Sequence, residues 1–367
     1  MVEWKKLGEV CKVLRGKRLT KNLLDDNAPY PVFHGGIEPL GRYGNYNREA
    51  NTVMVINVGA SAGTVGFCDC KFWSSDGCFC ISHSEVLNNK FLFYYLETKM
   101  HYLQSQVRHA GIPTLDNPII EKILVPLLSS QAQSRIVSIL DTFTSSISNL
   151  KQQIEERRKQ YEYERDLLLD LEGKEGVEMK KLGEVGEFIR GNGIQKNDFV
   201  EEGYGCIHYG QIHARYGFSA KETISKIEES LYKKCKKAKT GDVILATTSE
   251  DAEGVAKPFV WLGEYDVAVS GDAFIYHHNQ IGKFMGYQFL TRKFMQFKVK
   301  YATGAKVVRI SGENMAKFEI ALPSLSEQSR IVSILDTFEQ SIANLEEQLA
   351  MREKQYEYYR NQLLTFE

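Results

Sequence analysis

The sequence predicts an α+β protein made by tandem duplication, a pseudo-two-fold repeat in which two globular domains alternate with two long helices that carry coiled-coil seams. Three observations lead there. The segment QSRIVSILDTF at residues 133–143 returns unchanged at residues 328–338, 195 places later. The hexapeptide KKLGEV opens each globular part, at residues 5–10 and again at 180–185. Between these landmarks, short runs rich in Val, Ile and aromatics alternate with runs free of helix breakers, the mixture expected of an α+β globule.

The two repeats have different offsets, 195 for the helices and 175 for the hexapeptide, so 20 extra residues lie inside the second globular part. The expected order is a first globule at 1–128, a helix at 129–172, a second globule at 173–323 and a helix at 324–367. Beyond the shared opening the globules correspond loosely. Leu14-Arg15-Gly16 stands beside Ile189-Arg190-Gly191, and Val32-Phe33-His34-Gly35 beside Ile207-His208-Tyr209-Gly210. Similar helices with dissimilar globules describe one frame that presents two different readers.

In the first globule, residues 52–57 read as a strand and 91–107 as helical. In the second, 242–246 and 259–262 read as strands, and 226–239 and 282–299 as helical. The two copies of the helical block, 129–172 and 324–367, are identical at 27 of 44 positions and contain neither Gly nor Pro. Pro126 and Pro323 lie just before them, Ser324 and Glu327 have the spacing of a capping box, and Gly173 follows the first copy where a helix should stop. In the first copy, Ile136, Leu140, Phe143, Ile147, Leu150 and Ile154 recur at steps of four and three, continuing to Tyr161, Leu168 and Leu171. Ile331, Leu335, Phe338, Ile342, Leu345 and Leu349 do the same in the second. This is a coiled-coil spacer seam. Each helix would be roughly 65 Å long at 1.5 Å per residue, the dimensions of a rod. Arg157 and Arg352 occupy equivalent seam positions, where a solvated face, a register device or a partner contact are the available readings.

With 367 residues and 43% hydrophobic content, each globule is large enough to bury its own core. No apolar run approaches ~20 residues and the opening MVEWKKLGEV lacks an apolar signal core, so neither membrane insertion nor secretion is expected and the cytoplasm is the expected compartment. Seven cysteines in no framework spacing fit a reducing environment. The globules carry net charges of +2 and +3 and the helices −2 and −4, within a total of −1. That segregation gives only slight support to a nucleic-acid partner, because a basic footprint is the usual signature.

Catalytic signatures are missing. No phosphate-cradling Gly-x-x-x-x-Gly-Lys-Ser/Thr occurs, and no Gly-x-Gly-x-x-Gly follows a strand. The glycine loop at 59–66 lacks the lysine that reaches a phosphate and reads as a tight turn. Asp116-Asn117-Pro118 is followed by Ile119 rather than by a second proline and an aromatic, which separates it from adenine methyltransferase motifs. Cys68-x-Cys70 and Cys78-x-Cys80 share strand faces in pairs, yet zinc clusters favour two intervening residues, so buried apolar fillers are the preferred reading.

The order globule, helix, globule, helix, the LGEV opening of each globule, the GDVI run at 241–244, and the Pro-then-Gln entry to each helix (Pro126 to Gln133, Pro323 to Gln328) resemble the specificity subunit of type I restriction-modification enzymes. The resemblance spans the whole chain. It implies two target recognition domains, each reading half of a bipartite site in double-stranded DNA. It also implies helices that pack antiparallel, set the distance between the domains and dock the methyltransferase subunits. S-adenosylmethionine binding and ATP hydrolysis would belong to the methyltransferase and restriction subunits, and this chain would need no cofactor.

Candidate DNA contacts are therefore the donor-rich loops, since Arg grips guanine, Asn or Gln grips adenine, and Lys holds phosphate. In the first globule they are Arg15, Lys17, Arg18, His34, Arg42, Tyr43, Tyr46, Arg48 and Arg108 with His109. In the second they are Arg190, Lys196, His208, Gln211, His213, Arg215, Thr247, Ser249, Lys306 and Arg309, with Lys233, Lys234, Lys236, Lys237 and Lys239 suited to backbone charge. Tyr43 and Tyr46 are candidates to stack on a base, whereas Trp4 and Trp73 read as core. The rival reading from another class is a protein-interaction scaffold that uses its coiled coil, with globules that bind a ligand other than DNA. A third, a nuclease or methyltransferase acting alone, suffers from the absent motifs.

Overall fold

The computed structural model describes residues 2–304 and 307–366. The chain divides into two compact units, one of Met1–Gln152 with Glu346–Glu367, the other of Gln153–Leu345. Each unit holds one globule with half of each long helix.

In the first unit a four-stranded antiparallel sheet carries the core. It contains β1 (Val13–Arg15), β3 (Thr52–Ile56), β4 (Val65–Cys68) and β5 (Cys78–Ile81), ordered β1-β5-β3-β4; a three-stranded sheet lies around β2 (Tyr30–Phe33). The central strand β3 is buried along its whole length, which is why its five residues are continuously apolar except for Thr52. Helix α1 (Asn89–Thr98) begins at Asn88, whose side chain accepts from the Lys90 and Phe91 amides, and it buries Phe91, Leu92, Tyr94, Tyr95 and Leu96. The helix expected at 91–107 breaks near Lys99 and resumes as Met100–Ser105.

The second unit has two five-stranded sheets. One runs β6 (Gly186–Arg190), then β11 (Ala273–His278), β8 (Val243–Ala246), β9 (Lys257–Trp261) and the short strand Ser219–Ala220. The other contains β7 (Tyr204–Ile207) and β10 (Val267–Val269). Both strands expected here, at 242–246 and 259–262, coincide with β8 and β9. The helical expectation at 282–299 is met in two pieces, Gly282–Gln288 and Arg292–Tyr301. The expectation of a helix at 226–239 is corrected. Apolar residues do recur there at Ile227, Leu231, Cys235 and Ala238, but both ends are captured by pairing in a sheet, Ile227 opposite Tyr204 and Ala238 opposite Val267. Only the turn Glu229–Tyr232 remains helical. Backbone pairing of two buried residues outweighs a weak helical preference.

The long helices are α2 (Ser130–Leu169) and α3 (Leu325–Leu364), each of 40 residues. The hydroxyls of Ser129 and Ser324 accept from the amides of Ala132 and Glu327. The Glu327 carboxylate pairs with Arg330 at 2.7 Å rather than closing a capping box. The first helix ends at Leu169, and Gly173, with φ +75°, belongs to the turn beyond. Within each unit the two helix segments run antiparallel. In the first, Phe143 stacks on Tyr359 at 5.3 Å and Lys151 pairs with Glu353 at 3.0 Å. In the second, Tyr161 donates to Glu339 at 3.2 Å and Arg157 lies over Phe338.

The seam is graded by depth. Ile136, Leu140, Ile154, Ile331 and Leu335 are buried, while Phe143, Ile147, Leu150, Phe338, Ile342, Leu345 and Leu349 are half-buried. The buried members at each helix start join the core of their own globule. Arg157 and Arg352 sit with their guanidinium groups 5.9 and 5.7 Å from the rings of Phe338 and Phe143, and each donates to a glutamine three residues on. The seam position thus accepts a cation because an aromatic face meets it.

Candidate nucleic-acid interface

The strands that end at Arg15 and Arg190 each turn sharply past a buried loop. Arg15 is followed by Gly16, where a Cβ would lie 1.9 Å from the Ser75 carbonyl oxygen; Arg190 is followed by Gly191, where it would lie 2.3 Å from that of Ser270. Only glycine permits this approach, and it brings the arginine to the mouth of a cleft. The backbone bonds repeat too. Gly16 N–H donates to Cys78 at 3.3 Å and Gly191 N–H to Ala273 at 3.0 Å.

The first cleft encloses about 540 Å³ and is lined by Arg15, Arg18, Thr20, Lys21, His34 and Asp76 among others. The second encloses about 630 Å³ and is lined by Arg190, Gly193, Gln195, Lys196, Tyr209 and Asp272 among others. Lined up by the 175-residue offset, Arg15 falls on Arg190, Arg18 on Gly193, Thr20 on Gln195, Lys21 on Lys196 and His34 on Tyr209. By the 195-residue offset Ser75 falls on Ser270. Each lysine opens a single 3-10 turn, Lys21–Leu23 and Lys196–Asp198, that fixes its position. The clefts are therefore one duplicated feature with an exchanged lining.

Several expected contacts stand at or near these clefts. Arg15, Arg18, Lys17, Arg190 and Lys196 are exposed, and His34 is half-buried, with Nδ1 3.4 Å from Asp76. Arg108 is exposed and pairs with Asp116 at 3.0 Å, beside Thr114 of the first cleft. Arg215, Lys233, Lys234, Lys236, Lys239 and Arg309 are exposed elsewhere on the second globule, with Lys233 paired to Glu229 at 2.8 Å.

Other residues expected in open loops lie inside or are committed to the fold. His208 lines the second cleft yet is largely buried; its Nδ1 accepts from the Gly210 amide, and burial together with the Lys196 charge holds its pKa below the ordinary value. Gln211 is buried and donates to Ser225 at 2.6 Å, and Thr247 is buried and donates to the Asp272 carbonyl at 3.2 Å. Arg42 donates to the carbonyls of Ala28 and Pro29, and Arg48 to those of Asn47 and Arg15. Tyr43 packs edge-on against Trp73 at 5.2 Å, and Tyr46 packs against Tyr30 with Lys71 over its ring. His213 and Ser249 are half-buried, the first bonded to the Thr248 carbonyl, and Lys237 lies over Tyr232. Lys306 lies outside the described residues. These positions follow from physics that residue type does not display, because a polar side chain is drawn inward wherever an orphan backbone group waits for it.

The four-thiol arrangement does not assemble. Cys68 on β4 and Cys78 and Cys80 on β5 flank β3, while Cys70 is exposed. Cys68 and Cys70 sulfurs lie 3.7 Å apart, and with Asp69 they form one compact donor group. Cys68, Cys78 and Cys80 pack with Phe33, Met54, Ile56 and Phe72. Asn117 and Pro118 open the short helix Asn117–Glu121, and Trp4 is partly exposed against Tyr95 and Phe366. None of the described helices is long and apolar enough to cross a membrane.

Comparison with known proteins decides the family. The model of the type I restriction modification DNA specificity domain matches residues 1–157 and 174–351, most of the chain in two copies. The chain belongs to this family. It is 28% identical to the EcoR124I/EcoR124II specificity subunit of Escherichia coli over 393 residues, covering 100% of this chain and 94% of that protein. It is 25% identical to the MjaVIII specificity subunit of Methanocaldococcus jannaschii, covering 86% and 78%. Among solved structures, the S subunit of a type I restriction-modification system from M. genitalium superposes with a TM-score of 0.64 at 16% identity, covering 100% and 97%. A chain from a study of complex assembly and conformational transition of the type I system gives 0.60 at 19%, covering 99% and 96%. These likenesses show a shared fold.

Two constellations of this type I specificity chain escape residue-by-residue reading. Buried Gln133 accepts from the Asn88 amide at 2.7 Å and donates to the Val86 and Leu128 carbonyls; buried Gln328 accepts from the Ile281 amide at 3.2 Å and donates to Gln280 and the Pro323 carbonyl. Each glutamine locks a helix start to its globule. Asp141 receives Lys90 at 3.0 Å and Tyr94 at 2.5 Å, and Asp336 receives Lys283 at 2.7 Å and Tyr287 at 3.1 Å. The signal for the second was present as Lys-Phe-x-x-Tyr, repeated at 90–94 and 283–287.

Proposed function

We propose that this chain is the non-catalytic, sequence-specific DNA-binding subunit of a type I restriction-modification complex, working in the cytoplasm. It reads a bipartite double-stranded target with one domain per half-site, and directs methyltransferase and restriction subunits that hold the catalytic activities. The domains are residues 1–128 and 173–323, joined by spacer helices at 129–172 and 324–367. The observation that carries this reading is the duplicated cleft, in which Arg15 and Lys21 recur as Arg190 and Lys196 within a chain of the DNA specificity family. Fixed cations at equivalent places suit the phosphates that every duplex shares, and a changed lining suits bases that differ. The exposed members Arg15, Lys17, Arg18, Arg108, Arg190, Lys196, Arg215, Lys233, Lys234, Lys236 and Arg309 are the contacts the geometry favours. Nothing observed favours the scaffold alternative.

The test is retention of the full chain on double-stranded DNA across a salt series. Phosphate contacts release counterions, so log affinity should fall linearly with log salt, with a slope of about −0.9 per phosphate. A flat response would refute DNA binding. Exchange of residues 1–128 for another recognition domain should alter one half-site and leave the other.

A further inference from the structure

Both basic clefts contain a carboxylate that phosphate binding does not explain. Asp76 and Asp272 have side chains 31% and 36% exposed, within reach of a ligand yet partly shielded from water. Beside the cations of each cleft, a negative charge opposes the approach of phosphate. It also cannot donate, so the duplex groups it can meet favourably are donors, and on DNA those are the exocyclic amino groups of bases.

Their placement argues against a leftover of the duplicated frame. By the 195-residue offset Asp76 aligns with Gly271 and Gly77 with Asp272, so acid and glycine have exchanged order while the acid still faces the cleft. The exchange has a local cause in the first globule. A Cβ at Gly77 would lie 2.8 Å from His34 Nδ1 and from Val58 Cγ1, so an acid at 77 would have to displace both side chains, whereas position 76 takes it without that shift. In the second, Gly271 offers its carbonyl to Arg190 Nε at 2.9 Å and the acid moves on to 272.

The oxygens are also available. Asp76 Oδ1 accepts from Ser75 at 3.1 Å and faces His34, and Asp272 Oδ1 stands 3.9 Å from the Arg190 guanidinium, beyond hydrogen-bond length. Among the described residues, neither Oδ2 has a partner.

The geometry points to Asp76 and Asp272 as specificity-determining acceptors, each reading the exocyclic amino group of a cytosine or adenine in one half-site. The assignment rests on the DNA-reading function proposed above. Arg15 with Lys21, and Arg190 with Lys196, hold the neighbouring phosphates and bring the base edge to the carboxylate.

Sites selected from a randomised double-stranded pool by the full chain, and by its Asp76→Asn and Asp272→Asn variants, test the assignment. The amide keeps the shape and replaces one acceptor by a donor. Asp76→Asn should relax or switch preference at one base position of one half-site by about tenfold or more, with the other half-site unchanged. Asp272→Asn should do the same in the other half-site. Wild-type preferences retained at every position, or affinity lost equally for all sequences, would mean that the carboxylates only orient their basic neighbours and would overturn the assignment. Loss of an entire half-site would also overturn it, and melting curves would trace that loss to a collapsed cleft. If the unaltered chain selects no sequence at all, the DNA-reading function itself fails. A selective wild type with unaltered variants removes only the carboxylate assignment.

Discussion

In the first globule the cleft sets Arg15 and Lys21 around Arg18, Thr20, His34 and Asp76; in the second, Arg190 and Lys196 stand around Gly193, Gln195, Tyr209 and Asp272. The pairs that stay are those whose backbone is fixed by the glycine approach and the 3-10 turn. The residues that change are Arg18, Thr20 and His34, which become Gly193, Gln195 and Tyr209 in the lining of the second cleft. Duplication has kept two cations and an acid in each cleft and exchanged the residues around them, and each of the following measurements strains one side of that division.

The frame should be costliest to disturb. Gln133→Ala leaves an amide and two carbonyls without their partner in a buried place, and Gln328→Ala does the equivalent in the second unit. Each should destabilise its own unit by about 3 kcal/mol, from 1–3 kcal/mol per unsatisfied group with partial rescue by water. Hydrogen exchange resolved by residue is the measurement. Protection should fall around 86–88 and the start of α2 for the first variant, and around 280–281 for the second.

Next come the residues that differ. Carrying the second lining into the first cleft, as Arg18→Gly with Thr20→Gln and His34→Tyr, should change the selected sequence of one half-site. Each altered contact is worth about 1–3 kcal/mol, and overall stability should change little. If both half-sites shift, the clefts do not read independently. The shared cations should give a smaller and different response. Arg15→Ala or Arg190→Ala should weaken binding to all sequences alike and reduce the salt slope by about one unit, which titration at several salt concentrations reads directly.

The frame was legible in the sequence because identity at 27 of 44 helix positions is a pattern, and coiled-coil spacing is a physical period that survives without coordinates. The clefts were half legible. Arg15 and Arg190 stood next to glycines in aligned triplets, but Lys21, Asp76 and Asp272 are brought beside them by a 3-10 turn and a loop whose register depends on tertiary packing. Gln211 and Thr247 turn inward for the converse reason, since their hydrogen-bonding capacity serves a serine and a backbone carbonyl inside the fold. The stretch 226–239 misled because its apolar spacing is compatible with a helix, while its ends belong to two different strands.

The smallest expected difference between the units is their response to acid. His278 ends β11 with its Nδ1 accepting from the Gln280 amide and its buried Nε2 without a partner among the described residues; the residue at the corresponding 195-residue offset, His83, is exposed and shares a hydrogen bond with Thr52. Burial, and then the neighbouring His277, push the His278 pKa down to about 4 from an ordinary value of 6.5. The facing groups offer little relief, being the Tyr276 ring at 5.2 Å and His277, whose own Nδ1 is taken by Asp242 at 2.7 Å. Between pH 6.5 and 4 the unfolded chain therefore binds more protons at this site than the folded one, so stability falls as the pH falls through that window and this contribution is lost below it. The ring is only partly enclosed, which keeps the effect modest. Unfolding of the second unit, followed between pH 7 and 4, should show a slope that His278→Gln flattens while the first unit's profile stays as it was. An unchanged slope in that variant would place the acid sensitivity elsewhere, and not at buried Asp242, whose pKa burial raises so that its contribution grows as the pH falls.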